Sequence, residues 1–408
     1  MRQTQATLAE KLRFKVHGIE LKAMGQFMKL MKMRDTDVFV GSNAVASLAD
    51  KIAQAKRQKV LIVTTAGAVK RGQIQSLIDA LTAKDIGSAV YDGIIPDPTY
   101  ETVRQGLKAQ QQHSCDCVVA FGGGSAMDAA KAIVIAATNE KPVEKLIGIR
   151  KGKNKPLPLY AVPTTSGTAS EVTPAAVISE DHTHTKRFII DSRTIAHAAA
   201  LDPTLSASLP ASITAETGMD ALTHAIEAYL SKLGTAETDA HALDAITTIF
   251  KHLPIVVEDG GNLESREAMA KASLIAGKAF RKAPLGYVHA ISHQLGAIYG
   301  TPHGLGNAIL LPLVVEYSKD AITEKLAELA KALNLSSANQ SEEVLANLVV
   351  DALKELNQRI HIPAKAEALK AEDLPTIAKR AYAEALDIHA APKYMGKKDI
   401  VSLLEKLL

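Results

Sequence analysis

Through the first half of the chain, short runs of aliphatic and β-branched residues alternate with amphipathic stretches of helical length. The apolar runs at 37–40, 59–63, 89–91, 117–121 and 158–162 predict strands, and the stretches at 69–83 and 99–112 predict helices between them. This alternation marks βαβ units, and so a mostly parallel sheet with helices on its faces. After Leu201, Asp202 and Pro203 the pattern changes. From Thr214 onward apolar residues recur at helical spacing, Ala, Leu, Glu and Lys dominate, and no strand pattern is found. The expected architecture is an α/β domain over residues 1–205, with an N-terminal extension of about residues 1–36, followed by an all-helical domain over 206–408. The Met- and Lys-rich stretch at 24–33 reads as a packing helix or a partner-contacting arm.

Charge and composition remove several classes of function. The 408 residues include 47 Lys and Arg against 44 Asp and Glu, and the basic residues are spread along the chain. Aromatic residues make up 4% and Trp is absent, so neither a basic stripe nor a stacking platform for nucleic acid is expected. No run approaches the roughly 20 apolar residues that span a bilayer, so no membrane association is expected. Lys11, Arg13 and Lys15 interrupt any apolar segment near the start, so no signal peptide is expected and a cytoplasmic location is. Cys115 and Cys117 read as core residues sharing one face of a strand, in preference to a disulfide pair or, with His113, metal ligands.

Three blocks carry chemistry. Gly122, Gly123, Gly124 and Ser125 follow a predicted strand and open a helix that continues through Asp128 and Lys131. Glycines let the backbone approach an anion, and the free N–H groups of a helix start attract one, so a pyrophosphate is the natural occupant. In the second block, Thr164, Thr165 and Thr168 follow another predicted strand, where hydroxyls suit phosphate or ribose. In the third, Asp220 and His224 stand four apart, His289 and His293 repeat that spacing, and His303 adds a further imidazole. Asp220, His224, His289 and His303 form a mixed nitrogen and oxygen donor set for a divalent first-row metal, and His293 is placed to carry a proton. Each block alone also fits a plain tight turn, a polar loop or helical surface histidines. His182, His184, His241 and His252 lack such company and read as surface or packing residues.

In combination, residues 122–128, 163–173, 218–229 and 289–304 resemble the iron-containing, or group III, alcohol dehydrogenases, over about residues 37–408. The resemblance implies a dehydroquinate synthase-like fold: an N-terminal dinucleotide-binding α/β domain, an all-helical C-terminal domain, a cleft between them and a homodimer. It implies a hydride transfer between a primary alcohol or aldehyde and NAD or NADP, with a metal stabilising the alkoxide. Asp220, His224, His289 and His303 become ligands of Fe²⁺, although the same donors accept Zn²⁺. Gly122, Gly123, Gly124, Ser125 and Asp128 are assigned to the diphosphate loop, and Thr164, Thr165 and Thr168 to phosphates and ribose. Lys186 is assigned to a ribose hydroxyl, Thr65 and Asp97 complete the cofactor set, His293 relays protons and Phe280 lines the substrate pocket.

Departures from the family pattern keep some questions open. Many NAD-using members place an aspartate after the second strand, where this chain has Thr64 and Thr65, so a 2′-phosphate is not repelled and Lys70 or Arg71 stands nearby. The segment Phe280 to Tyr287 replaces small polar residues, and the residues before Asp37 have no counterpart in shorter members. Rival readings are a zinc-dependent polyol dehydrogenase of the glycerol type, a dehydroquinate synthase-like lyase and a regulatory nucleotide-binding protein.

Overall fold

The computed structural model describes residues 6–30, 33–183, 185–337 and 339–408. After α1 (Leu8–Leu30) come β1 (Asp37–Val40), α2 (Ala44–Gln54), β2 (Lys59–Val63), α3 (Ala66–Lys70), α4 (Gln75–Thr82), β3 (Gly87–Tyr91) and α5 (Tyr100–His113). Then follow β4 (Cys117–Gly122), α6 (Gly124–Asn139), β5 (Gly148–Ile149), β6 (Leu159–Pro163), β7 (Ala175–Ser179), β8 (Lys186–Ile190) and β9 (Ala198–Leu201). The rest of the chain is helical: α7 (Ala211–Leu230), α8 (Ala236–Glu258), α9 (Leu263–Phe280), α10 (Tyr287–Tyr299) and α11 (His303–Ser318) lead to α12 (Thr323–Ala332), α13 (Glu342–Arg359), α14 (Leu374–Ile388) and α15 (Lys397–Leu404). A parallel sheet followed by helices is the expected fold class.

Contacts divide the chain into an α/β unit, residues 32–209 with 260–274, and a helical unit, residues 1–31, 210–259 and 275–408. The division differs from the expected one in two places. The N-terminal helix belongs with the helical unit, because Phe14 stacks on Tyr394 at 4.7 Å between ring centroids and Arg13 donates to the Leu386 carbonyl at 2.8 Å. The first part of α9 belongs with the α/β unit, where Ala270 and Ser273 line a small crevice with Thr164, Thr165 and Asp202.

In the α/β unit six parallel strands run in the order β3, β2, β4, β6, β9, β1. Every residue of β4 is buried, and its side chains alternate between two helical layers. Cys117, Val119 and Phe121 join Leu48, Ile52, Leu77 and Leu81 of α2 and α4, while Val118 and Ala120 join Val103, Ile133 and Val134 of α5 and α6. Burying such side chains contributes roughly 1.5–3 kcal/mol each, which explains why a continuous apolar run forms a central strand. The chain leaves β2 for β3 on one side and returns to β4 on the other. The reversal lies at the carboxyl ends of β2 and β4, the place where open α/β sheets bind ligands.

Three local expectations are corrected. The helix expected over 69–83 is two, since Gly72 takes φ +69° and turns the chain between α3 and α4. Cys115 and Cys117 do not share a face: Ser114 adopts a left-handed conformation at φ 50°, and Cys115 precedes the strand and packs in the opposite layer from Cys117. A small second sheet, with β7 antiparallel to β8 and β5 parallel to β8, was not predicted by the pattern.

In the helical unit α7 is the axis. From Gly218 to Leu230 every side chain is buried, and the helix lies against α8 and α11. Among the described residues no helix is long and apolar enough to cross a membrane. Residues 31 and 32, which fall within the stretch read as an arm, and His184 lie outside the described residues.

Candidate active site

Three helices of the helical unit each bring a pair of polar side chains spaced four apart, so each pair projects from one helix face. Asp220 and His224 come from α7, His289 and His293 from α10, and His303 and Asn307 from α11. Gly304 makes the approach of α11 close enough: a Cβ there would lie 2.1 Å from the Glu216 carbonyl oxygen of α7. The ligand atoms of Asp220, His224 and His289 fall within 4.8 Å of one another, and all three residues are buried. His303 joins them, its Nε2 lying 3.4 Å from Asp220 Oδ1, while His224 and His289 place Nε2 at 3.8 Å from the same oxygen. One carboxylate and three imidazoles converging on a common point fit a divalent first-row cation.

The electrostatics follow from this crowding. Burial alone would raise the Asp220 carboxyl, but His224, His303 and His289 hold it far below the usual carboxylate range. For His289 burial lowers the pKa, and the carboxylates of Asp220 and Glu227 overcome that and raise it to about 9. Phe280 lies flat on the His224 ring, 4.3 Å between centroids at 18°, an apolar wall beside the donor set. His293 packs beside His303, 5.2 Å between centroids, and its Nδ1 is hydrogen-bonded to Glu384 of α14. Glu384 also accepts from Gln294 Nε2 at 2.9 Å.

Three polar partners here are not among the residues expected at the site. Asn307 Nδ2 donates to Asp220 Oδ1 at 2.8 Å and lies 3.2 Å and 3.3 Å from Nε2 of His289 and His303. Its spacing from His303 is the same i, i+4 signal that marks the ligands. Glu227 lies one turn beyond His224 and bonds His289. Glu384 sits about ninety residues along the chain from His293 and belongs to no motif.

In the α/β unit Thr65, the glycine turn and the threonine loop follow the carboxyl ends of β2, β4 and β6, while Lys186 opens β8 of the small sheet. β4 ends at Gly122 and α6 starts at Gly124, with Gly123 as its cap. A Cβ on Gly123 would meet Thr165 Oγ1 at 3.1 Å and one on Gly124 would meet Thr168 Cγ2 at 2.7 Å, so the glycine turn and the threonine loop touch. Thr164 is buried beside them, and Ser125 lies in the first turn of α6. Thr65 caps α3, accepting from Ala68 N–H at 3.2 Å, and Lys186 Nζ pairs with Asp97 Oδ1 at 3.1 Å. Asp128 faces inward: its carboxylate accepts from Ser170 Oγ at 2.8 Å and from Val177 N–H at 3.0 Å, and burial raises its pKa. One turn on, the fully buried Lys131 donates to Ser170 Oγ at 2.7 Å and the Ala175 carbonyl at 2.6 Å, and burial lowers its pKa to about 8. Asp128 and Lys131 thus brace the threonine loop from behind.

Family comparisons decide what this arrangement belongs to. The model of the iron-containing alcohol dehydrogenases matches residues 35–203, and that of the C-terminal domain of the same family matches residues 214–408. The chain belongs to the iron-containing alcohol dehydrogenase family. It is 39% identical over 372 residues to 1,3-propanediol dehydrogenase of Citrobacter freundii, covering 90% of this chain and 96% of that one. To the NAD-dependent methanol dehydrogenase of Bacillus methanolicus it is 35% identical over 371 residues, 90% of this chain and 97% of that one. The crystal structure of a 1,3-propanediol oxidoreductase superposes with a TM-score of 0.88 at 37% identity, covering 93% of this chain and all of the other. As a member of this family the protein is an oxidoreductase acting on alcohols, and the Asp220, His224 and His289 triplet fits the family's iron.

Proposed function

We propose that this iron-containing alcohol dehydrogenase interconverts short primary alcohols, diols among them, and the corresponding aldehydes with NAD or NADP. The convergence of Asp220, His224, His289 and His303 in one buried donor set carries the reading. A divalent cation held by these four side chains supplies Lewis-acid chemistry, making an alcohol oxygen easier to deprotonate at neutral pH. The nicotinamide supplies the hydride acceptor. The chain's own residues do the rest. Gly123, Gly124 and Ser125 would hold the diphosphate at the start of α6, and Thr164, Thr165, Thr168, Lys186 and Asp97 would bond phosphates and ribose. His293 would take the alcohol proton at Nε2 and return it for aldehyde reduction, and Phe280 would exclude water beside His224. The propanediol and methanol dehydrogenases among the relatives support short substrates. A cytoplasmic homodimer completes the proposal, with the exposed Leu8, Leu12 and Ile19 of α1 as an apolar stripe suited to a protein contact.

An anaerobic assay of the iron-loaded protein with C1 to C4 alcohols, diols and aldehydes, each with NAD and with NADP, tests this. No turnover with any pair would overturn it. The same assay carries a prediction on cofactor choice. Thr65 offers a neutral hydroxyl where a carboxylate would repel a 2′-phosphate, so Thr65→Asp should shift the ratio of kcat/KM values toward NAD by about tenfold or more. An unchanged ratio would show that Thr65 does not face the adenosine ribose.

Metal uptake should depend on pH. A cation can bind His289 only after displacing the proton that it holds up to about pH 9 in the metal-free protein. The apparent affinity for zinc or cobalt should therefore strengthen as pH rises, by about tenfold per unit below that value, and level off above it. Competition against a chromophoric chelator across that range reads the slope.

A further inference from the structure

His289 does not stand alone behind its ligand nitrogen. Its Nδ1–H donates to Glu227 Oε2 at 2.6 Å, and the other oxygen, Oε1, accepts from the Val288 backbone N–H at 2.8 Å. Val288 lies in the first turn of α10, whose cap residue, Gly286, provides no side-chain acceptor. Gly286 also leaves the room that the carboxylate needs, since a Cβ there would sit 2.8 Å from Glu227 Oε1. Glu227 is a buried carboxylate that enters from α7 at the i+7 position from Asp220, on the same helix face as Asp220 and His224.

We infer that Glu227 is the positioning residue of the metal site: by accepting the Nδ1 proton it holds His289 in the tautomer and ring orientation that present the Nε2 lone pair to a cation. The inference rests on the metal-site reading above and deepens it. A carboxylate that takes the outer N–H of a ligating imidazole fixes its orientation and raises its basicity, and losing such a partner costs typically about 10- to 100-fold in metal affinity. The second hydrogen bond makes the arrangement specific to a carboxylate. Glu227 meets two donors, one from the ring and one from the helix start, and only a group with two acceptor oxygens satisfies both. In Glu227→Gln the amide oxygen can serve only one of them. If it stays on Val288, the amide N–H₂ must donate to Nδ1, which moves the imidazole proton to Nε2 and removes the metal's lone pair. If it turns to Nδ1, two N–H donors face each other at the start of α10.

The test measures zinc and cobalt affinity of the wild-type, Glu227→Gln and His289→Ala proteins by chelator competition, together with the melting temperature of each metal-free protein. Expected are a 10- to 100-fold weaker affinity in Glu227→Gln, a metal-free melting temperature within a few degrees of wild type, and a changed visible spectrum of the cobalt form. Affinity within twofold of wild type would overturn the inference, as would a lower melting temperature with unchanged affinity, the signature of a helix cap alone. A wild-type protein whose metal binding is insensitive to His289→Ala would instead defeat the metal-site reading itself. Should Glu227→Gln not fold, Glu227→Asp gives the same readout: it keeps the charge but withdraws it by one methylene, and wild-type affinity in that variant would equally overturn the inference.

Discussion

His289→Ala should yield a folded protein without bound metal and with kcat/KM for alcohols lowered by at least about 10³-fold. Lewis-acid polarisation contributes several kcal/mol to a transition state, and about 1.4 kcal/mol corresponds to tenfold in rate. His289 is also held from both sides by other site groups: its Nε2 faces Asp220 and its Nδ1 bonds Glu227. Removing it leaves the Glu227 carboxylate buried without its imidazole, so the metal-free variant should be less stable than metal-free wild type by a few kcal/mol. Elemental analysis of the purified variant, circular dichroism to establish folding, and steady-state kinetics after iron loading check the three parts. A metal-replete His289→Ala protein with near-normal kinetics would remove this histidine from the site.

The neighbouring His293→Ala should behave differently. Its ring stacks on His303, and its Nδ1 is bonded to Glu384. The variant should keep its metal and lose mainly kcat, by about 10²- to 10⁴-fold, the range of a positioned general acid or base, with KM little changed. Added imidazole should restore part of the rate, because a small base can occupy the space that the side chain leaves. Metal content, the separation of kcat from KM, and the imidazole dependence are the readouts. A metal-free His293→Ala protein would make His293 a ligand in place of a proton carrier.

The contrast between these neighbours shows what periodicity can and cannot reveal. The i, i+4 spacing exposes Asp220 with His224 and His289 with His293, because one helix face is a local property of the chain. The same spacing links His303 to Asn307, yet a neutral amide has no charge to mark it in the sequence, and only the fold turns it toward Asp220. Glu384 is beyond local reach altogether, since its partnership with His293 exists only once α14 has docked on α10. The fold divides in the same way. β4 is legible because Val118, Val119 and Phe121 form a strong apolar run that both layers bury. β9 is not, because its sequence of three alanines and a leucine lacks β-branched bulk, although its register beside β1 and β6 buries every residue. The two cysteines mislead for a related reason: face-sharing at i and i+2 holds only within a strand, and the left-handed Ser114 ends the preceding turn just before one begins.

The two carboxylates of the helical site also set an electrical sum. Asp220 and Glu227 are both held in their anionic forms, so with the three ligand imidazoles neutral they contribute two negative charges, which in the metal-free protein a proton on His289 partly offsets. An ion of charge two brings that total to zero, and no counter-ion need be drawn among the buried helices. Exchanging the His289 proton for a divalent cation would complete that balance, so filling the site and releasing a proton are one electrostatic event.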